Sequence, residues 1–300
     1  MKKDFLSVAD FTRKDMEDIF KLSSKLKKKP YQSLLKNKQI ALIFEKPSTR
    51  TRVSFSVGID QLDAYPITLN ASELQLGRGE SVEDTARVLE RYVDCIVARV
   101  FEHDNLIRMA RVTKIPIINS LSNLEHPCQI LSDLFTIKEK YGKFKGIKLT
   151  YVGDGNNVCN SLLLGCSIVG LDVSIATPKG YEPDKNIVKK AKQIGNSDIS
   201  LSNNPIEAVK DSQIIYTDTW ISMHQEAEKQ ERLKVFKPYQ VNKELLKHAD
   251  PEYIFMHDLP AYRDYEVTAD IIDGKHSIVW LQAGNRLHVQ KAILCLLMSK

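Results

Sequence analysis

Two arginines flank a threonine in Phe44-Glu45-Lys46-Pro47-Ser48-Thr49-Arg50-Thr51-Arg52, which follows an apolar run (Ile40 to Phe44) and precedes a helical pattern of Val53, Phe55, Ile59 and Leu62. Hydroxyls and guanidiniums where a strand runs into a helix are suited to holding an anion. The first-turn amides lack intrahelical acceptors, the helix dipole favours negative charge there, and arginine adds a planar fork that matches phosphate oxygens. Phosphate is the anion expected. A lone Ser48-Thr49 pair would read as a helix cap; the arginines on either side of Thr51 point to a ligand.

Five further polar clusters lie at or after the ends of apolar runs. Arg99 closes Cys95-Ile96-Val97-Ala98, and His126-Pro127-Cys128-Gln129 follows Ile115 to Asn119 after a loop. Gly153-Asp154-Gly155-Asn156-Asn157 ends Leu149 to Val152, Asp218-Thr219-Trp220-Ile221-Ser222-Met223 ends Gln213 to Thr217, and His257-Asp258-Leu259-Pro260 ends Tyr253 to Met256. Singly, each has an ordinary structural reading: His126 as a satisfied core histidine, Asp218 as a helix cap, Gly153 and Gly155 as turn residues. The glycines support dinucleotide binding weakly, because Val158 stands where the third glycine of that fingerprint belongs. The set carries the argument, since polar groups at several strand ends can converge on one site.

The elements that must position these groups alternate along the chain. Lys38 to Phe44, Tyr65 to Asn70, Cys95 to Val100 and Ile115 to Asn119 read as buried strands, with helices such as Ser81 to Tyr92 and Asn105 to Val112 between them. A helix from about Gln129 to Tyr141 leads through Gly142 and Gly146 to strands Ile147 to Val152, Asp172 to Ala176, Gln213 to Thr217 and Tyr253 to Met256. Such alternation predicts an α/β protein of two similar-sized domains, each a mostly parallel sheet flanked by helices, with ligands at the carboxyl ends of the strands and the active site in the cleft between the domains. The boundary falls near residues 130 to 146, giving 1–140 and 141–284, and the amphipathic segment Asn285 to Met298 is placed with the first domain.

Composition narrows the class. The 300 residues suffice for two domains, and 43 basic against 38 acidic residues leave a net charge of +5, too small and scattered to argue for nucleic acid or membrane. The first 20 residues show no signal peptide and no run approaches a membrane span, so a cytoplasmic protein is expected. Five cysteines (Cys95, Cys128, Cys159, Cys166, Cys295) without CxxC spacing read as reduced thiols, and no metal is indicated.

Six motifs occur in order: Ser48-Thr49-Arg50-Thr51-Arg52, His126-Pro127-x-Gln129, Gly153-Asp154-Gly155-Asn156-Asn157, Asp218-x-Trp220-x-Ser222-Met223, Phe255-Met256-His257-x-Leu259-Pro260 and Asn285-Arg286-Leu287-His288. Together, over residues 4 to 298, they resemble the ornithine carbamoyltransferases of the aspartate/ornithine carbamoyltransferase family. The Ser222-Met223 pair separates the chain from the aspartate branch, and the chain stops before the extra C-terminal helix of the putrescine enzymes.

The resemblance implies that carbamoyl phosphate binds first, its phosphate on Ser48, Thr49, Arg50, Thr51 and Arg99, with His126, Gln129 and Arg286 around the carbamoyl group and Asp258 and Leu259 beside it. The neutral δ-amine of L-ornithine then attacks the carbamoyl carbon to give citrulline and phosphate. Arg50, Arg99, His126, Asp258 and Arg286 form the implied catalytic set, and Asn157, Asp218, Ser222 and Met223 hold the amino-acid end of ornithine. The resemblance further implies a homotrimer, or a multiple of trimers, in which the Gln75-Leu76-Gly77-Arg78-Gly79-Glu80 loop completes the neighbour's site through Gln75, and no metal or organic cofactor. The same site serves arginine synthesis or citrulline breakdown.

The chain departs from the family pattern at Asp258, where the family carries a cysteine. An ionised Asp258 would hold the substrate amine as ammonium and move the activity optimum to higher pH; alternatively Asp218 and Asp258 lie close enough for repulsion to keep one of them protonated. His224 stands in place of a glycine, and Leu281-Gln282-Ala283-Gly284 replaces a more acidic segment. Transfer to another amine (putrescine, lysine or an acylated ornithine) and a catalytically impaired homologue that binds carbamoyl phosphate are the alternative readings.

Overall fold

The computed structural model describes residues 3–70, 74–75, 79–221 and 226–298. The chain divides into two compact units, Met1–Phe135 with Gly284–Lys300, and Thr136–Ala283.

The first unit begins with helix α1 (Arg13–Lys28), closed at its N-terminus by a capping box between Thr12 and Asp15. Its sheet has strands β1 (Gln39–Phe44), β2 (Tyr65–Asn70), β3 (Cys95–Arg99) and β4 (Ile117–Leu121), in the order β2-β1-β3-β4 and all parallel. Helices α2 (Thr49–Asp60), α3 (Val82–Leu89), α4 (His103–Val112) and α5 (Pro127–Tyr141) connect or follow the strands. Strands β1 and β3 are nearly continuous apolar runs, as suits a parallel sheet covered on both faces, whereas β4 carries the buried Asn119 and Ser120; Ala41, Ile43, Ile96, Ala98 and Ile117 build the core with Leu106 and Met109 of α4. Strand β2 is at the sheet edge and only half-buried, not the buried strand its sequence suggests; Tyr65 is exposed.

The second unit has strands β5 (Lys148–Val152), β6 (Asp172–Ala176), β7 (Ile199–Ser202), β8 (Ile214–Thr217) and β9 (Ile254–His257), again all parallel, in the order β7-β6-β5-β8-β9. Helix α6 (Asn157–Val169) is buried along almost its whole length, capped by the Asn156 side chain and ended by Gly170 at φ 78°. The left-handed conformation that ends such a helix is open to glycine without a Cβ penalty. Helices α7 (Lys185–Ile194), α8 (Pro205–Val209), α9 (Lys229–Phe236), α10 (Lys243–Leu246) and α11 (Ala269–Ile272) follow.

Helix α12 (Val279–Met298) starts six residues before the expected Asn285, and the division between units falls within it. In its later part Lys291 donates to Gln61 Oε1 (2.6 Å) and the Pro30 carbonyl (3.0 Å), fastening α12 to the ends of α1 and α2. All five cysteines are free and buried. Among the described residues no helix is long and apolar enough to cross a membrane.

Candidate active site

Each sheet reverses its direction of growth once, and the polar clusters lie at the reversals. In the first sheet the chain passes from β1 to β2 on one side and then to β3 on the other; in the second it passes from β5 through β6 and β7, then to β8 and β9 across β5. Connections leaving the two strands at such a reversal diverge and open a crevice at their carboxyl ends.

At the first reversal Phe44 and Arg99 are register partners, so Arg99 stands beside the segment that leads into α2. Its Nη1 donates to Ser48 Oγ at 3.3 Å. Ser48 occupies the N-cap position of α2, yet its side chain makes no capping hydrogen bond. The hydroxyl serves the arginine instead of capping the helix. Thr49 is exposed, Arg50 half-buried and Thr51 buried. Arg286, 3% exposed, donates through Nη2 to Thr51 Oγ1 at 2.8 Å. Burial pushes the Cys128 thiol up to about 12 while the charge of Arg286 pulls the other way, which places that guanidinium near the first turn of α5.

His126 and Gln129 are both buried at the start of α5. Gln129 donates from Nε2 to Asp133 Oδ1 at 2.9 Å, while its Oε1 is buried without a hydrogen-bond partner among the described residues. Buried carbonyl oxygens are rarely left so, and this one fits a ligand that carries an N–H donor. Gln75 is exposed.

At the second reversal Asn156 does two things. Its Oδ1 caps α6 through the Val158 and Cys159 amides at 3.0 and 3.1 Å, and its Nδ2 donates to Asp218 Oδ2 at 2.7 Å. The Thr219 amide donates to Asp218 Oδ1 at 2.6 Å. Thr217 and His257 are register partners on β8 and β9, so the residues that follow them, Asp218 and Asp258, emerge side by side. Burial first, then the charge of Asp258 and a hydrogen bond with it, hold the Asp218 carboxyl well above the ordinary carboxylate range. Of the two sequence-based alternatives for Asp258, this geometry is that of the pair that retains a proton. No lysine or arginine pairs with Asp218 among the described residues.

Behind the pair, His257 approaches Asp258 Oδ1 at 3.4 Å through Nδ1 and Glu266 Oε1 at 3.1 Å through Nε2. Burial opposes a charge on this imidazole, but the hydrogen bonds to the two acids outweigh it and push it up to about 9. The Leu259 amide, donating to Nδ1 at 2.9 Å, acts the other way, because it needs the lone pair there. The donor atoms of Asp218, His257 and Asp258 lie within 4.8 Å of one another, a spacing that could hold a cation. Both imidazole nitrogens are already engaged, which leaves no ring lone pair for a metal.

Asn157 opens α6 beside Asn156. Ser222, Met223 and His224 lie outside the described residues, as do Leu76, Gly77 and Arg78 of the Gln75 loop. The sequence places Asn156 only within the Gly153-Asp154-Gly155-Asn156-Asn157 cluster and gives Arg232 no role. Asn156 was visible as half of an Asn-Asn pair, whereas Arg232 sits in a run, Lys229-Gln230-Glu231-Arg232, that reads as solvated helix. Arg232 is 3% exposed and paired with Asp154, whose carboxyl burial raises to about 6 against the pull of that guanidinium.

Comparison with known proteins decides the family. Residues 3–139 match the carbamoyl-P binding domain of aspartate/ornithine carbamoyltransferase, and residues 145–297 match its Asp/Orn binding domain. The chain belongs to the aspartate/ornithine carbamoyltransferase family. Within this family it is 51% identical over 306 residues to an anabolic ornithine carbamoyltransferase of Pyrococcus furiosus, covering 99% of this chain and 96% of the relative. It is 50% identical over 303 residues, 99% of both chains, to a catabolic ornithine carbamoyltransferase of Thermoplasma volcanium. The solved structure of ornithine carbamoyltransferase from Pyrococcus furiosus superposes with a TM-score of 0.95 at 50% identity, over 99% of this chain and 97% of that one. As in those carbamoyltransferases, two parallel α/β domains make up the chain.

Proposed function

We propose that the protein is an ornithine carbamoyltransferase that joins carbamoyl phosphate and L-ornithine to give L-citrulline and phosphate. The observation that carries the acceptor half of this reading is the carboxyl pair at the β8–β9 ends, Asp218 buried and Asp258 half-buried, with no lysine or arginine on Asp218 among the described residues, an environment that calls for an ammonium-bearing ligand. The donor half rests on the cationic, hydroxyl-rich β1–β3 reversal and the open acceptor of Gln129, which suits the carbamoyl amide.

Ser48, Thr49, Arg50, Thr51 and Arg99 take the phosphate, and His126, Gln129 and Arg286 surround the carbamoyl group. Asn157, Asp218, Ser222 and Met223 hold the amino-acid end of ornithine, with Asp258 and Leu259 beside the reacting groups. Attack by the neutral δ-amine on the carbamoyl carbon puts charge on the carbonyl oxygen. Arg50, Thr51 and His126 stabilise that charge as fixed donors, a role whose loss typically costs about 100- to 1,000-fold in rate. Holding both reactants in place supplies much of the remaining acceleration, and the departing phosphate takes the amine proton.

The working unit in this reading is a homotrimer, or a multiple of one, with the exposed Gln75 reaching the neighbouring site. The exposed Val53 and Val57 of α2 and Tyr65 of the edge strand β2 support a contact surface on the first unit. Five free, buried thiols support a cytoplasmic setting. No metal or organic cofactor takes part.

The test is direct. Protein incubated with carbamoyl phosphate and a panel of L-ornithine, putrescine, L-lysine and N-acetylornithine is expected to form carbamoylated product and phosphate with L-ornithine well ahead of the others. Preference for another amine, or no product from any, rejects the assignment.

A further inference from the structure

Arg232 is a buried charge in a helix whose first three residues, Lys229, Gln230 and Glu231, are exposed. All three of its nitrogens are bound: Nε donates to the Trp220 carbonyl at 2.6 Å, Nη2 to Asp154 Oδ2, and Nη1 to Glu228 Oε2 at 3.4 Å. The guanidinium carbon also lies 4.9 Å from the Tyr181 ring centroid and 5.1 Å from that of Phe236. Withdrawing a guanidinium from water is costly unless its hydrogen bonds are replaced. Here they are replaced by groups from two loops, which the arginine therefore cross-links.

Those loops are the two that diverge at the second reversal. Asp154 follows β5 and Trp220 follows β8, each two residues from a member of the Asn156–Asp218 hydrogen bond. Two ties thus join the same loops, one through Asn156 and Asp218, the other through Asp154, Arg232 and Trp220. The loop after β6 is wedged against them: the Gly155 amide donates to the Tyr181 carbonyl at 2.9 Å, and a Cβ on Gly155 would lie 2.3 Å from the backbone of Glu182 and Pro183.

We propose that Arg232 is a positioning residue for the amino-acid acceptor: by gripping the Asp154 carboxylate and the Trp220 carbonyl it fixes the spacing of Asn157 and Asp218, and so sets acceptor affinity without touching the acceptor. This inference rests on the reading of the second unit as the acceptor site. Lysine cannot substitute, because a single ammonium lacks the planar fork that reaches both loops.

Steady-state kinetics of full-length Arg232→Lys and Arg232→Ala, with carbamoyl phosphate and L-ornithine each varied in turn, test it. In both variants the KM for ornithine is expected to rise about 10- to 100-fold, the range that follows from losing one or two charge-assisted hydrogen bonds, while the KM for carbamoyl phosphate stays within about twofold. Guanidinium ion at millimolar concentration is expected to bring the ornithine KM of Arg232→Ala back toward the parent value, by refilling the slot beside Tyr181 and Phe236, and to leave Arg232→Lys unchanged. An Arg232→Lys enzyme with the parent's ornithine KM overturns the proposal, as does a joint rise of both KM values that guanidinium does not reverse. A parent enzyme that forms no citrulline refutes instead the underlying reading, and the inference with it.

Discussion

Replacing Asp258 by asparagine is expected to raise stability relative to the parent progressively as pH climbs. Asp218, buried, shares a hydrogen bond with the half-buried Asp258, and Asp218 also accepts from Asn156 and the Thr219 amide. Two carboxylates about 4 Å apart repel by about 4 kcal/mol at an effective dielectric constant of 20. The folded chain must either bear that repulsion or keep a proton that the unfolded chain has released. A carboxyl whose folded pKa is raised contributes its stability below the unfolded value, about 4, and loses it as pH climbs through the folded value. Asparagine at 258 keeps a neutral donor to Asp218 and carries no charge to repel it, but it also gives up the Asp258 carboxylate that lies 3.4 Å from His257 Nδ1, a loss that is constant while that imidazole stays charged, below about pH 9. Between pH 4 and pH 8 the stability of the variant relative to the parent therefore rises by about 2–4 kcal/mol, or about 5–10 °C in Tm, from a starting offset set by the lost His257 contact. Scanning calorimetry of parent and variant from pH 4 to 9, without substrates, measures this. The difference is also expected to survive 0.5 M salt, since a buried pair is weakly screened. A Tm difference that is flat across pH, or that moves in the parent's favour as pH rises, would refute the shared-proton account.

In activity, Asp258→Cys is expected to match the parent on the acid side of the pH profile, where each site carries one negative charge, and to diverge on the alkaline side as the parent's pair loses its shared proton; profiles that superimpose throughout remove Asp258 from the chemistry. Arg50→Ala is expected to lower kcat by about 100- to 1,000-fold and to raise the KM for carbamoyl phosphate, and unchanged values for both would dismantle the donor-site assignment. Gly155→Ala places a methyl group 2.3 Å from the Glu182–Pro183 backbone, which cannot move like a flexible side chain. A loss of about 3 kcal/mol or more in thermal stability is expected, along with a raised ornithine KM; a variant as stable as the parent would contradict the close approach.

Most strands were legible because a parallel sheet is covered on both faces and its strands are therefore mainly apolar, nearly continuously so in β1 and β3, and with only Thr150, Ser174 and Thr217 interrupting or ending the apolar stretches of β5, β6 and β8. Strand β7, Ile199-Ser200-Leu201-Ser202, escaped notice because it is a four-residue edge strand with Leu201 exposed, and alternation that short carries little signal. Strand β4 begins at Ile117 rather than Ile115, after Pro116. Helix α12 starts six residues before the expected Asn285 and carries Gly284 within it, at a cost of only about 1 kcal/mol for a glycine inside a helix. The site residues were legible by type and place, at the ends of apolar runs.

What local pattern could not contain is strand order. No run of residues tells that β3 lies beside β1 on the side away from β2, or that β8 returns to the flank of β5 opposite β6. Yet that order turns polar strand ends into two crevices, one gathering hydroxyls and guanidiniums, the other a carboxyl pair of which Asn156 holds Asp218. It also explains why the least legible functional residue is Arg232. A cross-link between the loops after β5 and β8 has meaning only once those strands are neighbours, and along the chain Asp154, Trp220 and Arg232 show no spacing that links them. Groups that meet a ligand are marked by their chemistry in the sequence; groups that hold such groups in place are marked only by burial, which the fold creates.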